Sequence, residues 1–581
     1  MLRQLRTMWP YLLRYRWRFA AGIAALLLKD ATAVVAPLLI RHIIDTLTAG
    51  LTLRRVWQFG LLLLGLGLVK GFFQYWMRWI VIGVSREIEY DLRNDLFAHL
   101  TRLSPRFYGA HRTGDIMARA TNDLNAVRMM IGPGVMYWCD TFVIFLAAIA
   151  VMGSIDWRLT FFVLLPVPAV SFSVGWFGRL IHDRFQRIQE MFSDISSRVQ
   201  ENLSGVRTVR AYAQEDAERE RFGELNREYI RENLRLARLW GSFYPLLETL
   251  IGLTFVIVLW LGGRQVLRGA ITLGSFVMFT SYMGMLIWPM IALGWVVNLM
   301  QRGTASLARI NELLGQKPDI DDAAVRDGGP GEIRGEIEFA GVGVDYGAGT
   351  PALDSIDLKI PAGQTLAIVG PTGGGKTTLI NLIARLRDPE RGRVRLDGVD
   401  VREIPLERLR ASIGMVPQET FLFSETVAEN IAFGAGQAAE AEIGRAAEIA
   451  GIAPDVEEFP QKYQTLVGER GITLSGGQKQ RAAIARALIR DPRILILDDA
   501  LSSVDTLTEE RILTHLAGVM RGRTTLLISH RVSTVRSADR IVVLSGGRLV
   551  EQGTHDELLG RGGYYAALHQ KQLLEAELEE A

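Results

Sequence analysis

Six long apolar stretches limit the first half of this chain more tightly than any other feature: Phe19–Ile40, Phe59–Val84, Val135–Met152, Leu159–Phe177, Phe243–Gly263 and Leu273–Leu299. Each approaches or exceeds the ~20 residues a helix needs to cross ~30 Å of hydrocarbon. Inside lipid every backbone N–H and C=O must be satisfied within the segment, so the spacing predicts six membrane helices. An even number of crossings returns the chain to its starting side. The first span is too long for the apolar core of a signal peptide, and Arg3, Arg6, Arg14, Arg16 and Arg18 precede it.

Arginine placement sets the orientation. The stretch between spans two and three carries Arg86, Arg93, Arg102, Arg106, Arg112, Arg119 and Arg128, whereas the turn between three and four has only Arg158. Positive charge collects on the cytoplasmic side, so both termini are predicted to be cytoplasmic. The cytoplasmic connections are too long to be structureless. Val84–Ser104 and Arg179–Ser204 lack Gly and Pro and carry charges at helical spacing. They read as membrane helices continuing roughly 30–40 Å into the cytoplasm at 1.5 Å per residue. The farthest points are then expected near Thr113–Asn125 and near Gly205–Glu215, where they can touch a soluble domain.

Ionisable residues interrupt the spans: Lys29, Asp30, Lys70, Arg78, Asp140 and Glu248. Such groups are costly in lipid and face one another or a cavity. Two readings stay open, structural pairing such as Asp140 with Lys29 or Lys70, and a cavity whose acids Asp30, Asp140 and Glu248 favour cationic amphipathic compounds.

A chain of 581 residues exceeds one core, and its second half changes character. Residues 317–334, rich in Asp, Gly and Pro, read as a polar linker between a membrane domain at 1–316 and a soluble α/β domain at 335–581. Net charge is only +2, which gives no global field for nucleic acid. The single cysteine, Cys139, excludes an intramolecular disulfide and a multi-thiolate metal site.

In the soluble half, Gly370-Pro371-Thr372-Gly373-Gly374-Gly375-Lys376-Thr377 fits the spacing of a phosphate-binding loop. It follows the strand-like run Thr365–Val369 and precedes a helical pattern from Thr378. Glycines let backbone N–H groups surround a polyphosphate, Lys376 reaches the terminal phosphates and the Thr377 hydroxyl can bind Mg²⁺. A second strand-like run, Arg493–Leu497, ends in Asp498, placed to hold Mg²⁺ beside such a loop. Between them lies Leu474-Ser475-Gly476-Gly477-Gln478, followed by a basic helix start, Lys479-Gln480-Arg481.

With these motifs in order, the chain resembles an ABC exporter half-transporter of the multidrug and lipid-flippase type. Tyr346, the phosphate loop, Gln418 in Val416-Pro417-Gln418, the signature at 474–478 and His530 in Ile528-Ser529-His530 carry the resemblance, which spans nearly the whole chain. It implies an all-α six-helix transmembrane domain followed by an α/β P-loop ATPase domain, with ATP and Mg²⁺ as cofactors. It also implies roles. Tyr346 stacks on adenine, residues 370–378 bind the phosphates, and Thr377, Gln418 and Asp498 hold the metal. Ser475, Gly476, Gly477 and Gln478 contact a nucleotide on the opposite subunit, and His530 holds the γ-phosphate and attacking water. Ser502-Ser503-Val504-Asp505 resembles the loop crossing the dimer interface, and Val467-Gly468-Glu469-Arg470 the element facing the cytoplasmic loops. The expected activity is ATP hydrolysis coupled to export of a drug, lipid or peptide, in the bacterial inner membrane and without a nucleic-acid partner. An ATP-gated channel or regulatory subunit is the alternative.

Asp499 departs from the pattern, because hydrolytically strong members carry Glu there. The shorter side chain withdraws the carboxylate from the attacking water, and a misplacement of about 1 Å can cost on the order of 10²-fold in rate. The combination of a weak catalytic position with an intact signature resembles heterodimeric exporters with one slow site, whose partner supplies the Glu. The run Ile496–Ser502 resembles MdlA-type subunits. A homodimer with two slow sites is the alternative.

Overall fold

The structure, a computed structural model, describes residues 5–48, 52–325, 331–347, 349–468, 471, 473–504 and 506–580. It divides into two compact units, Met1–Thr101 with Arg112–Gln316, and Arg102–His111 with Lys317–Ala581.

The first unit is helical. Among the described residues, six helical runs are long and apolar enough to cross a membrane: Arg16–Thr46, Leu53–Leu100, Thr113–Ile155, Trp157–Ser204, Glu215–Leu267 and Leu273–Leu314. Each of the six apolar stretches lies within one of them. Large side chains such as Leu61, Leu64, Leu68 and Phe72 are exposed on the second run. Hydrocarbon is their natural solvent, since lipid tails are as apolar as Leu. The second run is one helix to Leu100, and the fourth, interrupted at Leu165–Pro166, continues as one helix from Val167 to Ser204; both go well past their apolar parts.

One expected turn is displaced. Thr113–Asn125 is not a turn but the start of the third helical run, with wide π-type turns at Arg119–Asp123 and Met130–Gly134. The chain instead leaves the second run after Leu100 and forms a separate short helix at Pro105–Ala110. Ser104 is extended and Pro105 occupies the first helical position, where its missing N–H costs nothing. Polar composition at 113–125 belongs to a helix with solvated faces. The second expected turn contains a short helix at Val206–Ala211, directly after Gly205.

The intramembrane charges resolve into pairing and exposure. Lys29 Nζ lies 2.7 Å from Asp30 Oδ1 and also donates to Asp140. Of the two pairings open in the sequence, Asp140 takes Lys29. Of the three acids Asp30, Asp140 and Glu248, Asp140 alone is among the residues lining the cavity that Lys29 borders. Away from these spans, Asp123 accepts from Ser306 Oγ and Arg309 Nε, each at 2.8 Å, tying the third run to the sixth.

Among its described residues the second unit contains two sheets. An antiparallel sheet has the order β2-β1-β4-β5, with β1 Ile337–Val344, β2 Leu353–Ile360, β4 Arg391–Leu396 and β5 Val399–Asp400. The larger sheet has the order β10-β9-β3-β8-β7-β6, with β3 Thr365–Val369, β6 Ile413–Val416, β7 Ile494–Asp498, β8 Thr524–Ile528, β9 Arg540–Ser545 and β10 Arg548–Gly553. All its neighbours pair in parallel except β10 with β9. Its strands are covered on both faces. Alternate residues of β3, β7 and β8 therefore enter two different cores: Leu366, Ile368, Ile494, Ile496 and Leu526 on one side, Ala367, Val369, Leu495, Leu497 and Leu527 on the other. Near-continuous apolar runs are what a doubly covered parallel sheet requires. Residues 317–325 and 331–334, within the expected linker, are irregular and belong to the second unit, and Asp322 Oδ1 accepts from Leu406 N at 2.9 Å. Residues 326–330 lie outside the described residues.

Thr524 ties the two sheets together. Fully buried, it donates from Oγ1 to Gly335 O at 2.7 Å and accepts from Gly363 N at 3.0 Å. Thr524→Val keeps the shape but strands both backbone partners, and a stranded buried polar group costs about 1–3 kcal/mol. Thermal unfolding of the full-length protein in nanodiscs should show a lowered Tm for the second unit. An unchanged Tm would remove this contact from the account of stability.

Candidate functional site

Four neighbouring strands, β3, β8, β7 and β6, run parallel and end on the same edge. Their C-terminal ends lead into the phosphate-loop motif, Ser529-His530, Asp498-Asp499 and Pro417-Gln418. In open parallel sheets ligands bind beyond these ends. Here the ends enclose a cavity of 340 Å³ lined by Tyr346, residues 372–378, Gln418, Asp498, Asp499 and His530.

The loop after β3 needs its glycines. Gly370 and Gly375 have φ of +152° and +97°, and a Cβ on either would run into a carbonyl oxygen, of Leu544 and Ala352 respectively. The helix Lys376–Ile383 begins directly after Gly375. Lys376 is buried, and its Nζ donates to Gly370 O and Pro371 O, both at 2.9 Å. Burial pushes its ammonium down, with Asp498 and Asp499 pulling the other way. Thr377 Oγ1 donates to Asp498 Oδ2 at 2.9 Å. Burial pushes the Asp498 carboxyl up, opposed by that hydrogen bond and reinforced by Asp499. The hydroxyl, the carboxylate and the Gln418 amide form an all-oxygen donor set beside the lysine, which fits a hard cation such as Mg²⁺.

Tyr346 is 58% exposed, which rules out a core role. Arg387 stacks on its ring at 4.2 Å from the centroid, and its hydroxyl lies 3.3 Å from Thr378 Oγ1. One aromatic face is thus braced by a cation.

Asp499 sits in the left-handed region at φ +49°, a conformation that Asp tolerates better than most residues. Its N–H donates to Ile528 O at 2.9 Å, while its C=O accepts from Ser502 N and Oγ at 3.2 and 3.0 Å. The backbone is therefore pinned on both sides. His530 is exposed, and its C=O accepts from Gln572 Nε2 at 2.6 Å, while Gln572 Oε1 accepts from Val532 N at 2.8 Å. One amide from the C-terminal helix, Tyr564–Glu580, thus brackets the segment that carries His530.

The signature lies outside this cavity. Ser475 caps the helix Gly476–Leu488: its hydroxyl accepts from Gln478 N at 3.2 Å, and Gln478 Oε1 accepts from Ser475 N at 2.9 Å. This reciprocal capping box replaces the flexible turn that the glycines alone allow. Buried Gln480 then joins signature helix to strand end, donating to Ser502 Oγ and accepting from Ser503 N, both at 2.9 Å. In the sequence Gln480 stands out only as part of a basic helix start, and nothing there marks Arg387, Gln572 or the Arg531–Glu509 pair. Their partners are remote in sequence, and no local motif announces them. Glu469, Arg470 and Asp505, named with the family's interface elements, lie outside the described residues.

Residues 19–290 match the family described as the ABC transporter transmembrane region, and residues 353–502 match the family described as ABC transporter. The chain is 39% identical to "Probable multidrug resistance ABC transporter ATP-binding/permease protein YheI" of Bacillus subtilis, over 96% of each chain. It is 37% identical to "Multidrug resistance-like ATP-binding protein MdlA" of Escherichia coli, over 98% of this chain and 96% of the relative. Among solved structures it superposes on a bacterial Atm1-family ABC exporter with ATP bound at a TM-score of 0.78, with 30% identity and coverage of 96% and 98%. Six membrane-length helices, a parallel sheet that gathers the phosphate loop and acidic strand end into one cavity, and these likenesses place the chain in the ABC transporter family, as an exporter with transmembrane and ATP-binding domains.

Proposed function

We propose that the chain is one subunit of a heterodimeric exporter that uses ATP to move a hydrophobic or amphipathic compound out across a bacterial inner membrane, with both termini in the cytoplasm. The observation that carries the reading is the convergence of Lys376, Thr377, Gln418, Asp498, Asp499 and His530 on one cavity at adjacent strand ends. Its domains are taken as 1–316, a linker at 317–334, and 335–581.

In this reading the backbone N–H groups of residues 370–378 and Lys376 bind the ATP phosphates, with Tyr346 against the adenine. Thr377, Gln418 and Asp498 hold Mg²⁺, which offsets phosphate charge during transfer. His530 orients the γ-phosphate and the attacking water. The capped Ser475–Gln478 segment faces a nucleotide held mainly by the partner subunit.

Asp499 makes this chain's own site slow. Its side chain ends about one C–C bond, ~1.5 Å, short of a glutamate. Because its N–H and C=O are both engaged, the backbone cannot advance to make up the distance. That supports a partner chain that carries the stronger carboxylate. The multidrug names of the relatives support a small apolar or amphipathic substrate.

Lys376→Ala should weaken ATP binding at this chain's own loop at least tenfold, about 1.4 kcal/mol. Nucleotide titration of this chain, with the partner's loop separately disabled, measures it; unchanged affinity refutes the assignment.

In the assembled transporter, Asp499→Ala should leave most ATP turnover intact, whereas removing the partner's catalytic Glu should nearly abolish it. Asp499→Glu should raise turnover at this chain's own site, by up to about 10²-fold. A homodimer with robust turnover that Asp499→Ala abolishes would overturn the asymmetric reading. Ionic current without ATP-dependent substrate accumulation in proteoliposomes would overturn export itself.

A further inference from the structure

Tyr346 stands between two cavities of the second unit. It lines, with Thr378, both the 340 Å³ cavity at the strand ends and a neighbouring one of 840 Å³, whereas Arg387 lines only the second. The guanidinium, 4.2 Å from the ring centroid, therefore reaches the ring from the side away from the phosphate loop. One face of the ring is taken. The other belongs to a side chain that is more than half exposed and is left open toward the phosphate-loop cavity.

Nothing in the core fixes this ring. Tyr346 lies in the connection between β1 and β2, and connections are the more mobile parts of a fold. Its hydroxyl meets Thr378, and Arg387 supplies the rest of its support. Arg387 Nη2 donates to Asp345 O at 2.8 Å and to the Glu390 carboxylate, whose Oε2 accepts from Asp345 N at 3.2 Å. Both backbone groups of the residue before Tyr346 are thus held by the Arg387–Glu390 pair. The Arg387 side chain is only 15% exposed, and a cation with little water around it holds an aromatic face more strongly than a solvated one.

The pair is itself anchored. It sits in the turn at 384–390, between the helix Lys376–Ile383 and β4, where Arg385 N, Leu386 N and Glu390 N donate to Leu382 O, Asn381 O and Gly343 O at 3.2, 2.9 and 3.1 Å. The helix that opens on the phosphate loop therefore leads into the residue behind the tyrosine, which ties the phosphate and base subsites to one element. A platform already ordered when its ligand arrives loses less freedom on binding.

We propose that Arg387 is a positioning residue for the nucleobase: with Glu390 it presets the Tyr346 ring on which the purine of ATP stacks. The inference rests on the reading of Tyr346 as the adenine platform.

The test uses the assembled transporter in nanodiscs, with the partner's phosphate loop disabled, and two probes with Mg²⁺: the non-hydrolysable ATP analogue AMP-PNP, and tripolyphosphate, which carries the phosphates without a base. Arg387→Met keeps the length of the side chain without its charge and donors, and should weaken AMP-PNP binding about fivefold, the effect of one cation on one ring face. Tripolyphosphate affinity should not change. Glu390→Ala alters a partly exposed carboxylate, so the fold should tolerate it, and it should produce the same selective loss by a smaller factor. On a Tyr346→Ala background neither substitution should cost anything further, because both act through the ring. Equal loss of the two probes would make Arg387 part of the general fold or of phosphate binding, and the inference fails. A loss on the Tyr346→Ala background as large as in the unaltered protein would also sink it. If Tyr346→Ala weakens AMP-PNP while Arg387→Met and Glu390→Ala, with unchanged Tm, do not, this inference fails and the adenine platform stands. If Tyr346→Ala itself leaves AMP-PNP affinity unchanged, the platform assignment falls and takes the inference with it.

Discussion

Parallel hydrogen bonding among β3, β8, β7 and β6 is the constraint on which the nucleotide-binding unit depends. In parallel pairing all strands point one way, so whatever follows each strand emerges on one edge. Residues far apart in sequence are thereby brought to one cavity: Lys376 and Thr377 from β3, Gln418 from β6, Asp498 from β7, His530 from β8. Register fixes the detail. Asp498 pairs with Ile528, two residues before His530, so the Asp498 carboxylate and the histidine leave the sheet at neighbouring points. A one-residue slip of β7 would send its apolar side chains to the wrong faces of two cores, and burial on both sides resists that slip.

Much of this was legible in the sequence because membrane spans and phosphate loops are local patterns. Apolar runs of membrane length identify a crossing helix without knowledge of its neighbours, and the 370–377 spacing needs only the strand before it and the helix after it. Where a feature depends on context the sequence was less informative. The polar stretch 113–125 reads as a turn, yet the helix break is made by extended Ser104 and Pro105. Choosing between Lys29 and Lys70 as the partner of Asp140 requires the packing of three helices, which no spacing rule supplies. The Ser475–Gln478 segment was found by its motif, but its reciprocal cap follows from the helix that starts at Gly476.

Lipid and water ask different things of charge in the two units. In the membrane unit a lone cation has few alternatives to an anion or an aqueous cavity, and Lys29 there meets both Asp30 and Asp140. In the nucleotide site, buried Lys376 and Asp498 are tolerable because backbone carbonyls and the Thr377 hydroxyl satisfy them. The same residue types are thus held by side-chain ion pairs in one place and by backbone carbonyls and a hydroxyl in the other.

At the nucleotide site the structure holds the backbone and leaves the reactive ends of side chains unspent. Asp499 is secured through its N–H and C=O, and among the described residues its carboxylate makes no hydrogen bond or ion pair. His530 is positioned through its carbonyl and the Val532 N–H, both gripped by Gln572, and its imidazole has no hydrogen-bond partner among the described residues. Gln480 does the same for Ser503, gripping its N–H and leaving the segment beside the signature helix in place. Groups fixed this way need little reorganisation when charge develops in front of them, the condition under which electrostatic stabilisation is most effective. In the proposed asymmetric reading, the same backbone anchoring is what gives weight to a carboxylate one methylene shorter than that of glutamate.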